Sequence, residues 1–288
     1  MILRRLLVLP VIFAACLQAQ AQTGDRRAEL RAAFDAAEAG QLDLGQAARF
    51  ARDPLYPWLQ AAVLRKQIAS AAPGQVQPAL ESMGEQPAGR WLRSAWLNEL
   101  AKREDWRSFR ADYRGSEDLG LRCADLRARM ELAPAGDDQW TADAKKLWLT
   151  DESLPARCDQ PMARLAESGQ LDEALRWQRI DLAVQAGEVG LIRAIAQGLG
   201  PEAAALAQSY ADYIAAPGDL PPAWLDSARG REVATVALSR LAKRDPGRAR
   251  LLLEKLPAPA LDEAQRGRVA YQVALWTVAS YLPGSADR

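Results

Sequence analysis

From Asp25 onward the sequence is a nearly continuous series of short segments with helical periodicity, and this pattern constrains the fold most strongly. In the first segment the apolar residues recur at helical spacing, at Ala28, Leu30, Ala33, Phe34 and Ala37. No run alternates apolar and polar residues with β-branched enrichment, so we expect no strand. Segments of about 8 to 20 residues with short breaks predict an all-α fold. More specifically, they predict an α-α superhelix, a solenoid of short antiparallel helical hairpins without a sheet.

Two corners of the chain, residues 40–43 and 169–172, share the sequence Gly-Gln-Leu-Asp. Glycine after a helix favours a left-handed C-terminal cap, and aspartate before a helix caps its N-terminus. We therefore predict that each glycine ends one helix, each leucine packs into the corner, and each aspartate begins the next helix. Asp43–Arg52 and Pro222–Ser227 are among the segments predicted to be helical.

The first 21 residues resemble a cleavable signal peptide. Arg4 and Arg5 form its charged start, an apolar stretch follows, and small residues precede a cleavage site between Ala21 and Gln22. We therefore predict a signal peptide at 1–21 and a mature chain, 22–288, that is soluble and periplasmic or secreted. An N-terminal membrane anchor is the first alternative, but the apolar run is shorter than the roughly 20 residues that span a bilayer.

The three cysteines bear on the same question of export. Lipidation of Cys16 is a second alternative to simple cleavage, but Phe13 is a poor match to a lipoprotein signal at that position. Cleavage removes Cys16 and leaves Cys123 and Cys158, which in an oxidising compartment predict one disulfide. Two free buried thiols are the alternative.

Several kinds of chemistry are missing from the sequence. It contains no histidine and no glycine-rich loop followed by Lys-Ser/Thr, so we predict no catalytic residue, no metal site and no cofactor. Its 37 basic and 37 acidic residues balance, which argues against a nucleic-acid partner. Adjacent carboxylates at helix starts are expected to cap helices rather than act as a catalytic dyad. They are Glu104-Asp105, Glu117-Asp118 and Asp137-Asp138.

Nine tryptophans are scattered along the chain, at about one per predicted hairpin. Aromatic rings stack on sugars in glycan-binding proteins, but the even scatter favours a packing role between hairpins. The nine are Trp58, Trp91, Trp96, Trp106, Trp140, Trp148, Trp177, Trp224 and Trp276.

An ordered series of short motifs between Asp53 and Asp181 resembles the soluble lytic murein transglycosylases. The series is Asp-Pro-Leu-Tyr-Pro-Trp-Leu at 53–59, Leu-Arg-Ser-Ala-Trp-Leu at 92–97, Leu-Ala-Lys-Arg-Glu-Asp-Trp at 100–106, Leu-Arg-Cys-Ala at 121–124, and Leu-Trp-Leu, Ser-Leu-Pro and Cys-Asp within 147–159. Residues 121–124 and 147–159 resemble the segments that hold the two cysteines of that family.

The resemblance implies that residues 22–288 form the U-shaped superhelical domain of this family. Its members cleave the MurNAc–GlcNAc bond of peptidoglycan, giving 1,6-anhydro products, with a single glutamate in a lysozyme-like catalytic domain. That glutamate lies in a Glu-Ser-x-Phe motif, followed by Gly-Leu-Met-Gln. Glu81 and Glu167 share only the Glu-Ser pair, so neither is assigned catalysis, and we expect the linker and catalytic domains to be absent and the chain to be inactive alone.

Three functional hypotheses follow. The first is a non-catalytic superhelical domain of a periplasmic lytic transglycosylase, a truncated or partial gene product that positions peptidoglycan glycan strands. The second is a free-standing periplasmic solenoid that binds a protein partner on its concave surface. The third and weakest is a new glycosidase that uses surface carboxylates. The sequence assigns no binding residue to any of them.

Overall fold

The computed structural model describes residues 25–133, 138–257 and 260–280. The described residues are helical and contain no strand, which confirms the prediction of an all-α fold without a sheet. The chain divides into two compact units between Glu117 and Asp118, and each is described by itself. The predicted cleavage site at Ala21 and Gln22, together with Cys16, lies outside the described residues, and the single domain predicted over 22–288 stays a prediction.

The first unit contains six α-helices in its described part. They are α1 (25–38), α2 (Leu44–Ala47), α3 (Tyr56–Lys66), α4 (Pro73–Met83), α5 (Pro87–Lys102) and α6 (Trp106–Asp112). The second unit continues with nine. They are α7 (Leu119–Leu132), α8 (Asp138–Trp148), α9 (Asp159–Glu167), α10 (Glu173–Ala186), α11 (Val189–Ala196), α12 (Pro201–Ala215), α13 (Ala228–Arg244), α14 (Pro246–Lys255) and α15 (Glu263–Ala279). Helices that follow one another in the chain pack together within each unit, as expected of stacked hairpins.

Two predicted helices are not regular α-helices. Asp43–Arg52 contains only the four-residue α2 followed by a 3₁₀ turn at Ala48–Phe50. Pro222–Ser227 contains only a 3₁₀ turn at Pro222–Trp224. Such 3₁₀ turns are frequent at the ends of α-helices and in the connections between them.

The two Gly-Gln-Leu-Asp corners adopt the predicted conformation. Gly40 and Gly169 have φ angles of 74° and 71°, which glycine reaches without a steric penalty. In each corner the amide after the glycine donates back to the carbonyl five residues earlier, the longer bond of a Schellman motif. The following aspartate accepts from a backbone amide three residues later, at 2.7 Å for Asp43 and 2.8 Å for Asp172.

The same corner occurs where the sequence signal is weaker. Glu104, between α5 and α6, has a φ angle of 56°, and the Asp105 amide donates to the Leu100 carbonyl at 3.0 Å. Asp105 then caps α6 by accepting from the Ser108 amide at 3.1 Å. Asp118 caps α7 in the same way. The capping role predicted for these acidic pairs is therefore confirmed at Asp105 and Asp118, while the Asp137-Asp138 side chains lie outside the described residues.

Each unit has its own apolar core. In the first unit α1, α2 and α3 bury a cluster around Phe50 and Leu59, and α5 contributes the fully buried Trp96. The Trp96 Nε1 donates to the Asp112 carboxylate at 2.8 Å, which satisfies the polar atom of this large side chain.

Among the described helices, none is long and apolar enough to cross a membrane.

The core of the second unit includes a bond between the two remaining cysteines. Cys123 in α7 and Cys158 before α9 are joined, with a Cα–Cα distance of 4.9 Å. Both side chains are buried in the main apolar cluster of the unit. This pairing is the one that the sequence predicts, and its formation in the cell stays a prediction that chemical analysis can test.

Candidate functional site

A concave surface in the second unit lies between α10, α13 and α15. It is an open groove of about 750 Å³, called here the α13–α15 groove. Its lining residues are Gln185, Glu232, Thr235, Val236, Ser239, Arg240, Lys243, Arg268, Tyr271, Gln272 and Trp276. Clefts of this size that combine aromatic and convergent polar groups are the usual form of a binding site.

The two main helices of the groove are amphipathic in a way that produces it. The lining residues of α13 recur at intervals of three and four between Glu232 and Lys243, so they share one face of that helix. The lining residues of α15 recur in the same way between Arg268 and Trp276. The opposite faces are buried in the core, for example at Leu238. Packing of the two helices therefore sets two polar and aromatic faces beside each other.

One end of the groove is positively charged. Arg240 and Lys243 are exposed and one turn apart on α13, and no carboxylate of the described ranges lies within 4 Å of either charged group. At the other end Arg268 is neutralised by Glu232, with an Nη2–Oε2 distance of 2.6 Å. At the Arg240–Lys243 end the groove therefore presents two cations that have no carboxylate partner among the described residues.

Arg240 is held in place by the helix terminus opposite it. Its Nη1 donates to the Ala186 carbonyl at 3.0 Å, at the end of α10. Gly187 follows with a φ angle of 70°, and its missing side chain leaves room for the guanidinium, because a Cβ there would approach Arg240 Cζ to 2.4 Å. The glycine thus allows both the left-handed cap of α10 and the close approach of Arg240.

Two aromatic rings complete the groove on α15. Tyr271 is 64% exposed, an unusual position for a large aromatic side chain. Trp276 is half-buried, its Nε1 donates to Gln272 Oε1 at 3.1 Å, and the Lys243 ammonium lies 5.3 Å from its ring centre. The ammonium and the ring therefore form a cation–π pair that positions Lys243 at the groove.

A second cavity of about 470 Å³ adjoins the groove, because Gln185 lines both. Its other lining residues come from α10 and from the segment after α8: Leu149, Thr150, Asp151, Leu182 and Ala186.

The tryptophans largely follow the packing interpretation. Trp96, Trp140, Trp148 and Trp224 are buried, and Trp106, Trp177 and Trp276 are partly buried. Trp58 and Trp91 differ, since they are 37% and 39% exposed and lie 5.8 Å apart between ring centres. The Arg65 guanidinium covers the Trp91 ring at 3.9 Å. This exposed pair, on α3 and α5, is the exception to the packing role.

The sequence contains three Glu-Ser pairs, at 81–82, 152–153 and 167–168, and all three are exposed. Glu81 is on α4 and Glu167 is at the end of α9, and neither lines the α13–α15 groove.

The sequence interpretation missed the groove altogether. In the sequence, the polar and aromatic residues of the groove lie three and four positions apart on the last long helices. An ordinary solvent-exposed helix face shows the same spacing, so this pattern alone does not indicate a groove. What distinguishes the two is that the faces of α13 and α15 lie side by side, and this depends on tertiary packing.

Comparisons with known proteins agree with the motif series. No protein-family model matches the sequence. The soluble lytic murein transglycosylase of Escherichia coli is 30% identical over 223 residues, which cover 74% of this chain and 33% of that protein. The chain is a homologue of the soluble lytic murein transglycosylases. The chain spans about a third of the length of the curated relatives that it matches.

Solved structures give the same result for the fold of the transglycosylase homologue. The 70 kDa soluble lytic transglycosylase of Escherichia coli, an all-α superhelix, matches with a TM-score of 0.67 and 25% identity, over 91% of this chain and 43% of that one. An inactive mutant of the lytic transglycosylase Slt from Pseudomonas aeruginosa matches with a TM-score of 0.59 and 27% identity, over 88% and 42%. The predicted superhelical fold class is thereby confirmed.

Proposed function

We propose that the chain acts in peptidoglycan turnover in the periplasm, as a superhelical domain that positions glycan strands without cutting them. The observation that carries the proposal is the homology to soluble lytic murein transglycosylases, which covers 74% of the chain. The cationic and aromatic groove supports it, since a glycan strand offers apolar sugar faces and its peptide stems carry carboxylates. A non-catalytic role is proposed because the sequence has no Glu-Ser-x-Phe motif and none of its three Glu-Ser pairs lines the groove.

Sedimentation with purified murein sacculi tests the proposal. We expect the full chain to pellet with sacculi in a concentration-dependent manner, and soluble muropeptides to displace it. We also expect no release of 1,6-anhydro-muropeptides in the same tubes. Failure to pellet at concentrations that saturate a known murein-binding protein would contradict the binding role, and release of anhydro-sugars would contradict the non-catalytic one.

A second candidate function, a scaffold for a protein partner, is favoured by the exposed tryptophan pair. Trp and Arg dominate the energetics of protein interfaces, and Trp58, Trp91 and Arg65 lie together. Leu55, three residues before Trp58, is 48% exposed. The test is capture of periplasmic proteins after removal of murein, comparing the wild type with W58A/W91A. A stoichiometric partner that only the wild type retains would favour this function. Equal profiles for the two proteins would exclude this surface.

A further inference from the structure

We infer that the α13–α15 groove binds the free carboxylates of peptidoglycan peptide stems through Arg240 and Lys243. The inference rests on the proposed function and deepens it, since it names the chemical group that the superhelical domain recognises. It assigns the affinity to the peptide part of the polymer rather than to the neutral sugar.

The groove has an excess of positive charge at one end. Arg240 and Lys243 are uncompensated by any carboxylate of the described ranges within 4 Å, whereas the third cation, Arg268, is paired with Glu232 at 2.6 Å. A groove with a net charge of +2 from these four side chains selects anionic ligands. The paired end presents no comparable attraction, so we expect the anion to bind at the Arg240–Lys243 end.

Each of the two cations is held in position by a neighbouring helix. Arg240 is anchored through one nitrogen to the Ala186 carbonyl, which leaves the rest of its planar fork available for a carboxylate. Lys243 is held against the Trp276 ring at 5.3 Å, on the same helix face one turn away. Both cations line the groove, and charge-assisted hydrogen bonds to a carboxylate are the strongest that such a site can form.

Aromatic and amide side chains also line the groove. Tyr271 is 64% exposed in the same groove, beside Gln272, and Gln185 continues the surface into the adjoining cavity. Peptide stems present amides and short apolar side chains around each carboxylate, and these groups match the glutamines and the tyrosine ring. A small inorganic anion would use the two cations alone.

The test uses the full chain and a pair of probes that differ by one charge. The acid probe is N-acetylmuramyl-L-alanyl-D-isoglutamine, the ester probe is its methyl ester, and a neutral N-acetylglucosamine tetramer is the third ligand. We expect the acid to bind at least about tenfold more tightly than the ester by calorimetry, because hydrogen bonds between charged groups are lost in the ester. Equal affinity for acid and ester would overturn the inference.

Two variants locate the site. R240Q/K243Q should weaken binding of the acid probe by about tenfold or more and should abolish most of its salt dependence. R244Q is the matched control, because Arg244 is exposed on the same helix but does not line the groove, and it should stay within about twofold of the wild type. Unchanged circular dichroism and melting temperature verify that the variants are folded. Wild-type affinity in R240Q/K243Q would overturn the inference.

Sacculi separate this inference from the proposed function. If the wild type and R240Q/K243Q pellet equally with sacculi, the groove assignment is wrong while the murein-binding function stands. If the wild type does not pellet, the proposed function fails and the inference fails with it. Reduced pelleting of R240Q/K243Q alone, with R244Q unaffected, supports both.

Discussion

The guanidinium of Arg179 lies 4.2 Å from the centre of the Trp148 ring, in the interior of the second unit. Arg179 is only 3% exposed, and burial lowers its pKa to about 10. It donates to the carbonyls of Thr150 and Glu152 at 3.2 and 2.9 Å. No carboxylate of the described residues lies within ion-pair distance of it. The cation therefore stacks on a ring and ties the segment after α8 to α10 through backbone carbonyls.

Replacement of Arg179 by Met should destabilise the chain by about 1–3 kcal/mol, because two charge-assisted hydrogen bonds and the ring contact are lost. Denaturant unfolding measures the change. R176M is the matched control one turn earlier on α10, where the guanidinium is 6.0 Å from the same ring, and it should cost less. Equal losses in the two variants would contradict a specific anchoring role for Arg179.

The bond between Cys123 and Cys158 gives a second prediction. It joins residues 35 positions apart, and a loop of this length stabilises a fold by about 3–4 kcal/mol in the chain-entropy model. C123A/C158A should lower the free energy of unfolding by that amount in non-reducing buffer. Mass spectrometry of the exported protein should find the two residues linked, and two free thiols would contradict both the bond and the predicted oxidising compartment.

The reducing agent provides the internal control for this measurement. The wild type in reductant should approach the stability of C123A/C158A, while the double variant itself should not respond. A response of the variant to reductant would show that the measured change does not come from this bond.

The corners of the fold were predictable from sequence because their causes are local. Gly40 and Gly169 provide the positive φ angle, and Asp43 and Asp172 provide the cap, all within four residues. The corner at Glu104 was only partly predictable, since a glutamate gives no signal for a left-handed conformation.

The α13–α15 groove depends on tertiary packing, and for that reason the sequence did not reveal it. Arg240 contacts the end of α10, 54 residues earlier, and Arg268 pairs with Glu232 across two helices. Neither relationship follows from periodicity along one helix.

The ion pair between Asp143 on α8 and Arg129 on α7 makes stability depend on pH. Partial burial by itself would raise the pKa of Asp143, but hydrogen bonds from Arg129 at 2.6 Å and Gln139 at 2.9 Å outweigh it, and the pKa lies below its ordinary value. The stabilisation is therefore complete above the unfolded pKa of about 4 and is lost as the pH falls through the folded value. Because 41% of the Asp143 side chain is exposed, we expect at most about 1 kcal/mol.

D143N should remove this contribution and flatten the acid limb of the curve of unfolding free energy against pH, measured between pH 6 and pH 2. R129Q removes the other partner and should flatten the same limb. Curves for the wild type and D143N that stay parallel throughout would contradict a lowered pKa for Asp143.

The tryptophans allow a test of which rings pack and which serve a surface. Trp96 is fully buried and hydrogen-bonded, so W96A should cost about 3–5 kcal/mol by leaving a cavity and an unpaired carboxylate at Asp112. Trp58 is 37% exposed and contacts Trp91 on one side, so W58A should cost only about 1 kcal/mol, the range of a single aromatic pair. Urea unfolding of the two variants compares them directly. A loss of stability for W58A as large as that for W96A would mean that Trp58 and Trp91 stabilise the fold by packing. The exposed pair would then give no support to a binding surface for a protein partner.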